Sequence, residues 1–337
     1  MATTDSIQFA AMGLATPGIA VPAAEAAERN GFDIFLLTDS QNLRGDVYSQ
    51  LALCAKATST IMLGTGVTNP ITRHAAVTAT SIMNLQAESD GRAILGIGRG
   101  DSAVLHIGRK IASLKEYGAY VRDLQGYLSG GVVDQNGFPS RLRWLDLVDV
   151  EKVPVDMVGS GPRSLALAGS LADRVTLAVG ADLDRLAWGI NTVRRAAEAA
   201  GRDAASIPIG AYLNVAVGTD RDRVRESIRG GVATFAHFSA GAGTDFSSQP
   251  EIMRRVTSRL QTEYDTAEHS QGDAAHAKIV DQDFIDWFAI AGTAKEVIER
   301  LTPIVKLGLS HIYFAGGRAL STQEALAQEV MPALRAL

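Results

Sequence analysis

Short apolar runs alternate with amphipathic segments along almost all of this 337-residue chain, and this alternation limits the fold more than any other feature. Each run has the length and composition of a buried strand, and a segment with helical spacing follows it. Eight strands are predicted, over residues 7–14, 33–38, 61–67, 92–97, 154–158, 174–179, 207–217 and 310–315. Alternation of this kind favours a parallel sheet with helices packed outside it.

Eight strand–helix pairs favour a single (β/α)8 TIM barrel of the α/β class, which forms one domain over residues 1–337. A doubly wound open sheet is the alternative, because a strand count does not show whether a sheet closes.

Residues 129–152 break the alternation and are predicted to be irregular. Residues 238–282 are too long for a plain loop. We interpret them as an insertion beside the barrel mouth that could serve as a lid, with a helix over 251–268.

The composition excludes several classes of function. The net charge of −5 argues against a nucleic-acid partner. The single cysteine, Cys54, excludes an intrachain disulfide, and the six histidines lack metal-type spacing, so no metal is expected. No apolar run reaches the ~18 residues of a membrane span. The N-terminus shows no basic segment before an apolar one, so we expect a cytoplasmic protein.

In a barrel, chemistry lies where the parallel strands end. The stretch Ile94–Ser102, I-L-G-I-G-R-G-D-S, closes the fourth strand with three alternate glycines and then Asp101. Such glycines allow a close approach to the backbone. Asp39 and Ser40 end the second strand, and two carboxylates on separate strand ends could divide acid and base work. The structural alternative is that Asp39 caps a turn and Asp101 caps a helix.

The end of the fifth strand points to an anionic ligand. Gly159, Ser160 and Gly161 form a glycine turn, and Pro162 opens the next helix. Free backbone N–H groups at a helix start can bind a phosphate, and Ser160 adds a hydroxyl donor. A tight turn that requires glycine is the structural alternative. Other strand ends offer Gly13, Gly180, Gly316–Arg318 and, if the seventh strand is short, Asn214.

Two well-known motif classes are missing from the sequence. It contains no G-x-S-x-G elbow, which disfavours a serine hydrolase. The spacing of the three glycines in residues 94–102 differs from the dinucleotide-binding fingerprint. A lyase or aldolase is disfavoured because no lysine stands at a strand end.

Several motifs resemble the bacterial luciferase-like family of flavin and deazaflavin oxidoreductases. They are L-G-T-G-V-T-N-P-I-T-R-H at 63–74, L-G-I-G-R-G-D-S at 95–102, V-G-S-G-P at 158–162 and G-F-D-I-F-L-L-T-D-S at 31–40. The chain is most similar to the methylenetetrahydromethanopterin reductase branch, which uses coenzyme F420. The resemblance implies a TIM barrel, often a homodimer, that transfers a hydride between reduced F420 and an organic substrate. An FMN-dependent monooxygenase is the first alternative, and a non-catalytic cofactor-binding barrel is the second.

The resemblance also implies a set of site residues. Residues 65–69 would pack against one face of the ring, with a non-prolyl cis peptide at Gly66–Val67. Asp101 stands where deazaflavin-using relatives often carry an acid, which suggests proton transfer. Several relatives have histidine where this chain has Ser40, so the polar role would fall to Ser40, Asp39 or Asp101. The predicted cofactor-binding residues are Asp39, Thr65, Gly66, Val67, Thr68, Asn69, Gly98, Gly100, Asp101, Gly159, Ser160, Gly161, Pro162 and Gly180.

Overall fold

A computed structural model describes residues 6–240, 249–316 and 320–337 of the chain. Its strands are β1 (Gln8–Leu14), β2 (Ile34–Thr38), β3 (Met62–Thr68), β4 (Ala93–Ile97), β5 (Val133–Gln135), β6 (Phe138–Ser140), β7 (Val155–Gly159), β8 (Arg174–Leu177), β9 (Ile209–Val217), β10 (Ile290–Gly292) and β11 (His311–Ala315). Its helices are α1 (Ala20–Arg29), α2 (Val47–Ala57), α3 (Ala75–Glu88), α4 (Ser102–Leu105), α5 (Leu114–Leu128), α6 (Pro162–Leu171), α7 (Leu183–Ala199), α8 (Arg221–Ser239), α9 (Glu251–Glu263), α10 (Gln282–Phe288), α11 (Ala294–Val305), α12 (Leu320–Ala325) and α13 (Met331–Arg335).

The strands pair in the order β9-β11-β1-β2-β3-β4-β7-β8, and β8 pairs in turn with β9. Within the described ranges, eight strands therefore close into a (β/α)8 barrel, and the open doubly wound sheet is excluded. The short strand β10 adds to β9 in parallel, with Ile290 opposite Val215. Sequence patterns missed β10 because three residues carry no periodic signal.

One compact unit, here the N-terminal unit, comprises Met12–Val158 and Leu167–Val175. All of β4 is buried, and the neighbouring β3 has an irregular register between Thr65 and Thr68. Residues 129–152 are not irregular as predicted, because β5 and β6 form an antiparallel hairpin. Its turn residues Asn136 and Gly137 have φ angles of 55° and 85°, which is the backbone that an Asn-Gly hairpin turn requires.

The other compact unit, here the C-terminal unit, comprises the residues up to Ala11 together with Gly159–Ala166 and Thr176–Leu337. Strand β9 extends to Val217, so Asn214 lies inside the strand and not at its end. The helix predicted over 251–268 ends at Glu263, because Tyr264 is extended. The residues of its buried face, Met253, Val256 and Leu260, belong to one hydrophobic cluster with Val232 and Ala236 of α8.

This packing ties α9, and with it Ala274, Ala277 and Val280, to the core of the C-terminal unit, which a freely swinging loop would not be. The G-A-G-T-D portion of the predicted insertion (241–245) lies outside the described residues, as do Gly317 and Arg318. The last helix begins at residue 320 and contains a π-helical segment, Leu326–Val330, where the sequence predicts one regular helix over 322–334.

Candidate functional site

Asp39, directly after β2, is the most enclosed acid in the candidate site, with a side chain only 1% exposed. Its Oδ2 atom accepts two hydrogen bonds of 2.6 Å each, from the Thr68 hydroxyl and from Nη1 of Arg73. Its Oδ1 atom is buried and has no hydrogen-bond partner among the described residues. The side chain therefore does not cap a turn, and one oxygen is left for a ligand donor.

Asn69 presents a buried donor one residue beyond β3. Its Oδ1 atom accepts from the backbone N–H groups of Ile71 and Thr72, which fixes the amide orientation. Its Nδ2 atom is buried and has no partner among the described residues. Three more buried polar atoms after these strands also lack a hydrogen-bond partner among the described residues: Thr38 Oγ1, Gln41 Oε1 and Thr72 Oγ1. Because buried polar groups are normally paired, this concentration indicates a site for a polar ligand.

Strand β3 is tied to β4 at its irregular end. The Gly66–Val67 peptide bond is cis, as predicted. The Thr65 hydroxyl donates to the Gly96 carbonyl at 2.7 Å, and a Cβ on Gly96 would lie 2.2 Å from the Thr65 carbonyl oxygen. A Cβ on Gly98 would meet Val67 Cγ2 at 3.2 Å. The alternate glycines predicted a close approach to the backbone, and at Gly96 the approaching segment is β3 itself.

Gly96→Ala is therefore expected to destabilise the fold by about 3 kcal/mol or more, because the new methyl group meets backbone that cannot move freely. Gly161→Ala is the matched control, since the nearest heavy atom to a Cβ there is Ser164 Oγ at 3.9 Å. Urea denaturation of both variants measures the difference. Equal stability of the two variants would contradict the tight β3–β4 approach.

Asp101 precedes the short helix α4, which the sequence did not predict because it has only four residues. Asp101 occupies the N-cap position of α4, as the capping alternative predicted, but its carboxyl makes no capping bond to the helix. Burial raises its pKa from 3.8 to about 7. Gly100, with a φ of 92°, supplies the left-handed backbone that leads into α4. A carboxyl with a pKa near 7 can both hold and release a proton at neutral pH.

Two side chains from the loop after β2 hold α4. Gln41 donates through Nε2 to the Ala103 carbonyl at 2.9 Å, and Asn42 donates through Nδ2 to the His106 carbonyl at 2.8 Å. Ser40 lies half-buried beside Asp39. The candidate site of the N-terminal unit thus draws on the ends of β2, β3 and β4. The sequence analysis gave no role to Gln41 or Arg73, although both stand shortly after predicted strand ends.

The glycine turn lies in the C-terminal unit, and its donors are partly occupied. The Ser160 hydroxyl donates to the Phe238 carbonyl at 3.0 Å, so it is not the free donor that the sequence suggested. The Gly161 N–H donates to Ser164 Oγ at 3.2 Å. Helix α6 does begin at Pro162, as predicted. The feature of this turn that still favours an anion site is the open space beside Gly161.

Gly180, also in the C-terminal unit, has a backbone role. Its φ is 86°, and a Cβ there would lie 2.6 Å from the Phe288 ring. The expectation that it faces a cofactor has no support in these contacts.

The described residues contain neither a metal-binding cluster nor a helix that could span a membrane. In residues 6–240, 249–316 and 320–337, no group of three His, Cys, Asp or Glu side chains is placed to hold a metal ion. His311 is fully buried in β11, where Thr176 and Ser310 occupy its two ring nitrogens. None of the helices in this part of the chain is long and apolar enough to cross a membrane.

Comparison with known proteins gives a consistent result. A model of the family described as luciferase-like monooxygenase matches residues 5–311. The 5,10-methylenetetrahydromethanopterin reductase of Methanolobus tindarius is 30% identical over 302 residues, 86% of this chain and 87% of that protein. The F420-dependent hydroxymycolic acid dehydrogenase of Mycobacterium tuberculosis is 30% identical over 258 residues, 71% of this chain and 68% of that protein.

A solved structure shares the fold. The coenzyme F420-dependent tetrahydromethanopterin reductase from Methanopyrus kandleri superposes with a TM-score of 0.74 at 24% identity, covering 98% of this chain and 99% of that one. The relatives include F420-dependent enzymes, and the family description names monooxygenases. The chain therefore belongs to the luciferase-like monooxygenase family and is an oxidoreductase built on a (β/α)8 barrel.

Proposed function

We propose that this protein is an F420-dependent oxidoreductase that transfers a hydride between the deazaflavin and a small organic substrate. The observation that carries the proposal is the pair of unsatisfied buried atoms at neighbouring strand ends, Asp39 Oδ1 and Asn69 Nδ2. The names of the relatives support F420 as the first choice of cofactor.

The chemistry of these atoms fits a deazaflavin. Its pyrimidine edge carries both N–H and C=O groups, which match the Asp39 acceptor and the Asn69 donor. The hydroxyls of Thr38 and Thr72 suit the sugar-alcohol chain attached to the ring. Gly66 and Val67 are half-buried, so they leave surface for one ring face.

The residues have separate roles in the proposed reaction. When bound, the deazaflavin supplies or accepts the hydride. Asp101 donates or receives the proton that must accompany reduction or oxidation of the substrate, because its pKa is raised by burial to about 7. Ser40 is a second polar group beside the site. We also propose that the turn Gly159–Gly161 and the start of α6 at Pro162 bind the cofactor phosphate.

Parallel fluorescence titrations with F420 and with FMN test the proposal. We expect the wild type to bind F420 more tightly than FMN. Asp39→Asn is expected to weaken F420 binding by about 10- to 100-fold, because a charged hydrogen bond is worth about 1.5–3 kcal/mol. Asp149→Asn is the control, since Asp149 is an exposed acid of the same unit and its replacement removes the same charge.

Tight FMN binding without F420 binding would overturn this order. It would favour an FMN-dependent monooxygenase, which the family description supports as the second candidate. Cofactor binding without turnover of any substrate would favour a non-catalytic barrel. A homodimer and a cytoplasmic location complete the proposal, and light scattering of the purified protein tests the first of them.

A further inference from the structure

Arg73 is a largely buried arginine between β3 and α3, with a side chain 16% exposed. Its Nη1 atom lies 2.6 Å from Asp39 Oδ2, and its Nη2 atom lies 3.2 Å from Asp46 Oδ2. Its Cζ atom sits 5.0 Å from the centroid of the Tyr48 ring. Two carboxylates and an aromatic face therefore fix the guanidinium in one orientation.

The bonds to Asp39 are confined to one of its oxygens. Both Arg73 and the Thr68 hydroxyl bond to Oδ2, from two different segments of the chain. Two donors on one oxygen fix the rotation of the carboxylate about its last bond. The same arrangement leaves Oδ1 as the buried acceptor of the candidate site.

Arg73 supplies the positive charge next to the Asp39 carboxylate. The groups that act on this carboxylate are Arg73, the Thr68 hydroxyl, Tyr48 of α2 and Tyr120 of α5. Burial raises the pKa of both phenols, that of Tyr120 to about 12, so both are neutral. Burial opposes the charge on Arg73, but its partners, Asp39 first among them and Asp46 as well, together outweigh burial and raise the pKa of the guanidinium.

We propose that Arg73 is a positioning residue for the cofactor. It holds the Asp39 carboxylate turned so that Oδ1 accepts a hydrogen bond from the ring, and it does not contact the cofactor itself. This inference rests on the proposed function, because it needs a cofactor donor at Oδ1. Replacing Arg73 should therefore change the affinity for the cofactor only when Asp39 is present.

A double-mutant cycle on cofactor affinity tests this route. The dissociation constant for F420, with FMN as a second probe, is measured for the wild type, Arg73→Met, Asp39→Asn and the double variant. We expect Arg73→Met to weaken binding by at least about 10-fold in the wild type and by less than about twofold in the Asp39→Asn background. Arg73→Lys should restore part of the affinity, because lysine keeps the charge without the two-pronged geometry.

Arg92→Met is the matched control for loss of stability alone. Arg92 is also a half-buried arginine of the N-terminal unit, but its guanidinium bonds to the carbonyls of Ala55, Thr58 and Ile61. Its replacement is expected to lower the melting temperature and leave the dissociation constant unchanged. A merely structural Arg73 would behave in the same way.

Each result has one meaning for the proposal. Equal losses from Arg73→Met in both backgrounds would show a direct contact with the cofactor and overturn the proposal, as would unchanged affinity in Arg73→Met. If Arg73→Met does not fold, Arg73→Lys is compared in the same two backgrounds, and a loss confined to intact Asp39 supports the proposal. A wild type that binds neither probe overturns the proposed function, and the inference falls with it.

Discussion

Asp101→Asn is expected to lower kcat by about 10²- to 10⁴-fold, the usual contribution of a positioned proton donor. The change in the dissociation constant for F420 should stay within about threefold, because asparagine keeps the shape of the side chain and much of its hydrogen bonding. Asparagine cannot give up or take up the proton. Oxidation of reduced F420 in the presence of a panel of aldehydes and ketones, followed by absorbance, measures kcat.

The same variant has a signature in stability that needs no substrate. The pKa of Asp101 is raised by burial to about 7 in the folded protein, from 3.8 as its ordinary value. Between these two values the folded state binds more protons than the unfolded state, so wild-type stability falls as pH rises from about 4 to about 7. Asp101→Asn should lose that component, and it should therefore gain stability relative to wild type at pH 8.

Asp149→Asn, at an exposed acid of the same unit, is the control for removal of one charge. Two results would contradict the proton-transfer role of Asp101. One is an unchanged kcat. The other is a free energy of unfolding whose pH dependence is the same in Asp101→Asn and in wild type.

Gly161→Val is expected to weaken F420 binding by about 100-fold or more. The branched side chain would fill the space that the proposal gives to the phosphate, and each hydrogen bond to a charged group is worth about 1.5–3 kcal/mol. The fold should tolerate the change, since a Cβ at this position has its nearest heavy atom at 3.9 Å. Titration of F420 measures the loss, and circular dichroism checks the fold.

Gly161→Ala should give an intermediate affinity, because a methyl group fills less of the space. Unchanged affinity in the valine variant would refute the phosphate assignment. The Ser160 hydroxyl already bonds to the Phe238 carbonyl, so part of the hydrogen bonding of the turn holds it to α8.

The barrel was predictable because its strands are buried on both faces and therefore appear as short apolar runs. The helix start at Pro162 also followed from local chemistry. The features that were missed depend on contacts distant in sequence or on very short elements. Strand β10 exists only through its pairing with β9, and the β5–β6 hairpin has three residues in each strand.

Sequence patterns identified the two acids of the site but not their surroundings. Nothing local to Asp39 shows that Arg73, 34 positions away, bonds to one carboxylate oxygen and leaves the other. The glycines after β4 illustrate the same limit. Their spacing indicated a close approach, but only the structure shows that β3 is what approaches Gly96.

A crystal structure of the protein with bound F420 tests the central claim most directly. We expect the polar edge of the ring within about 3 Å of both Asp39 Oδ1 and Asn69 Nδ2, the usual hydrogen-bond distance. Val67 should lie against a ring face in the same complex. A ring bound elsewhere, with these two atoms still lacking a ligand partner, would contradict the account.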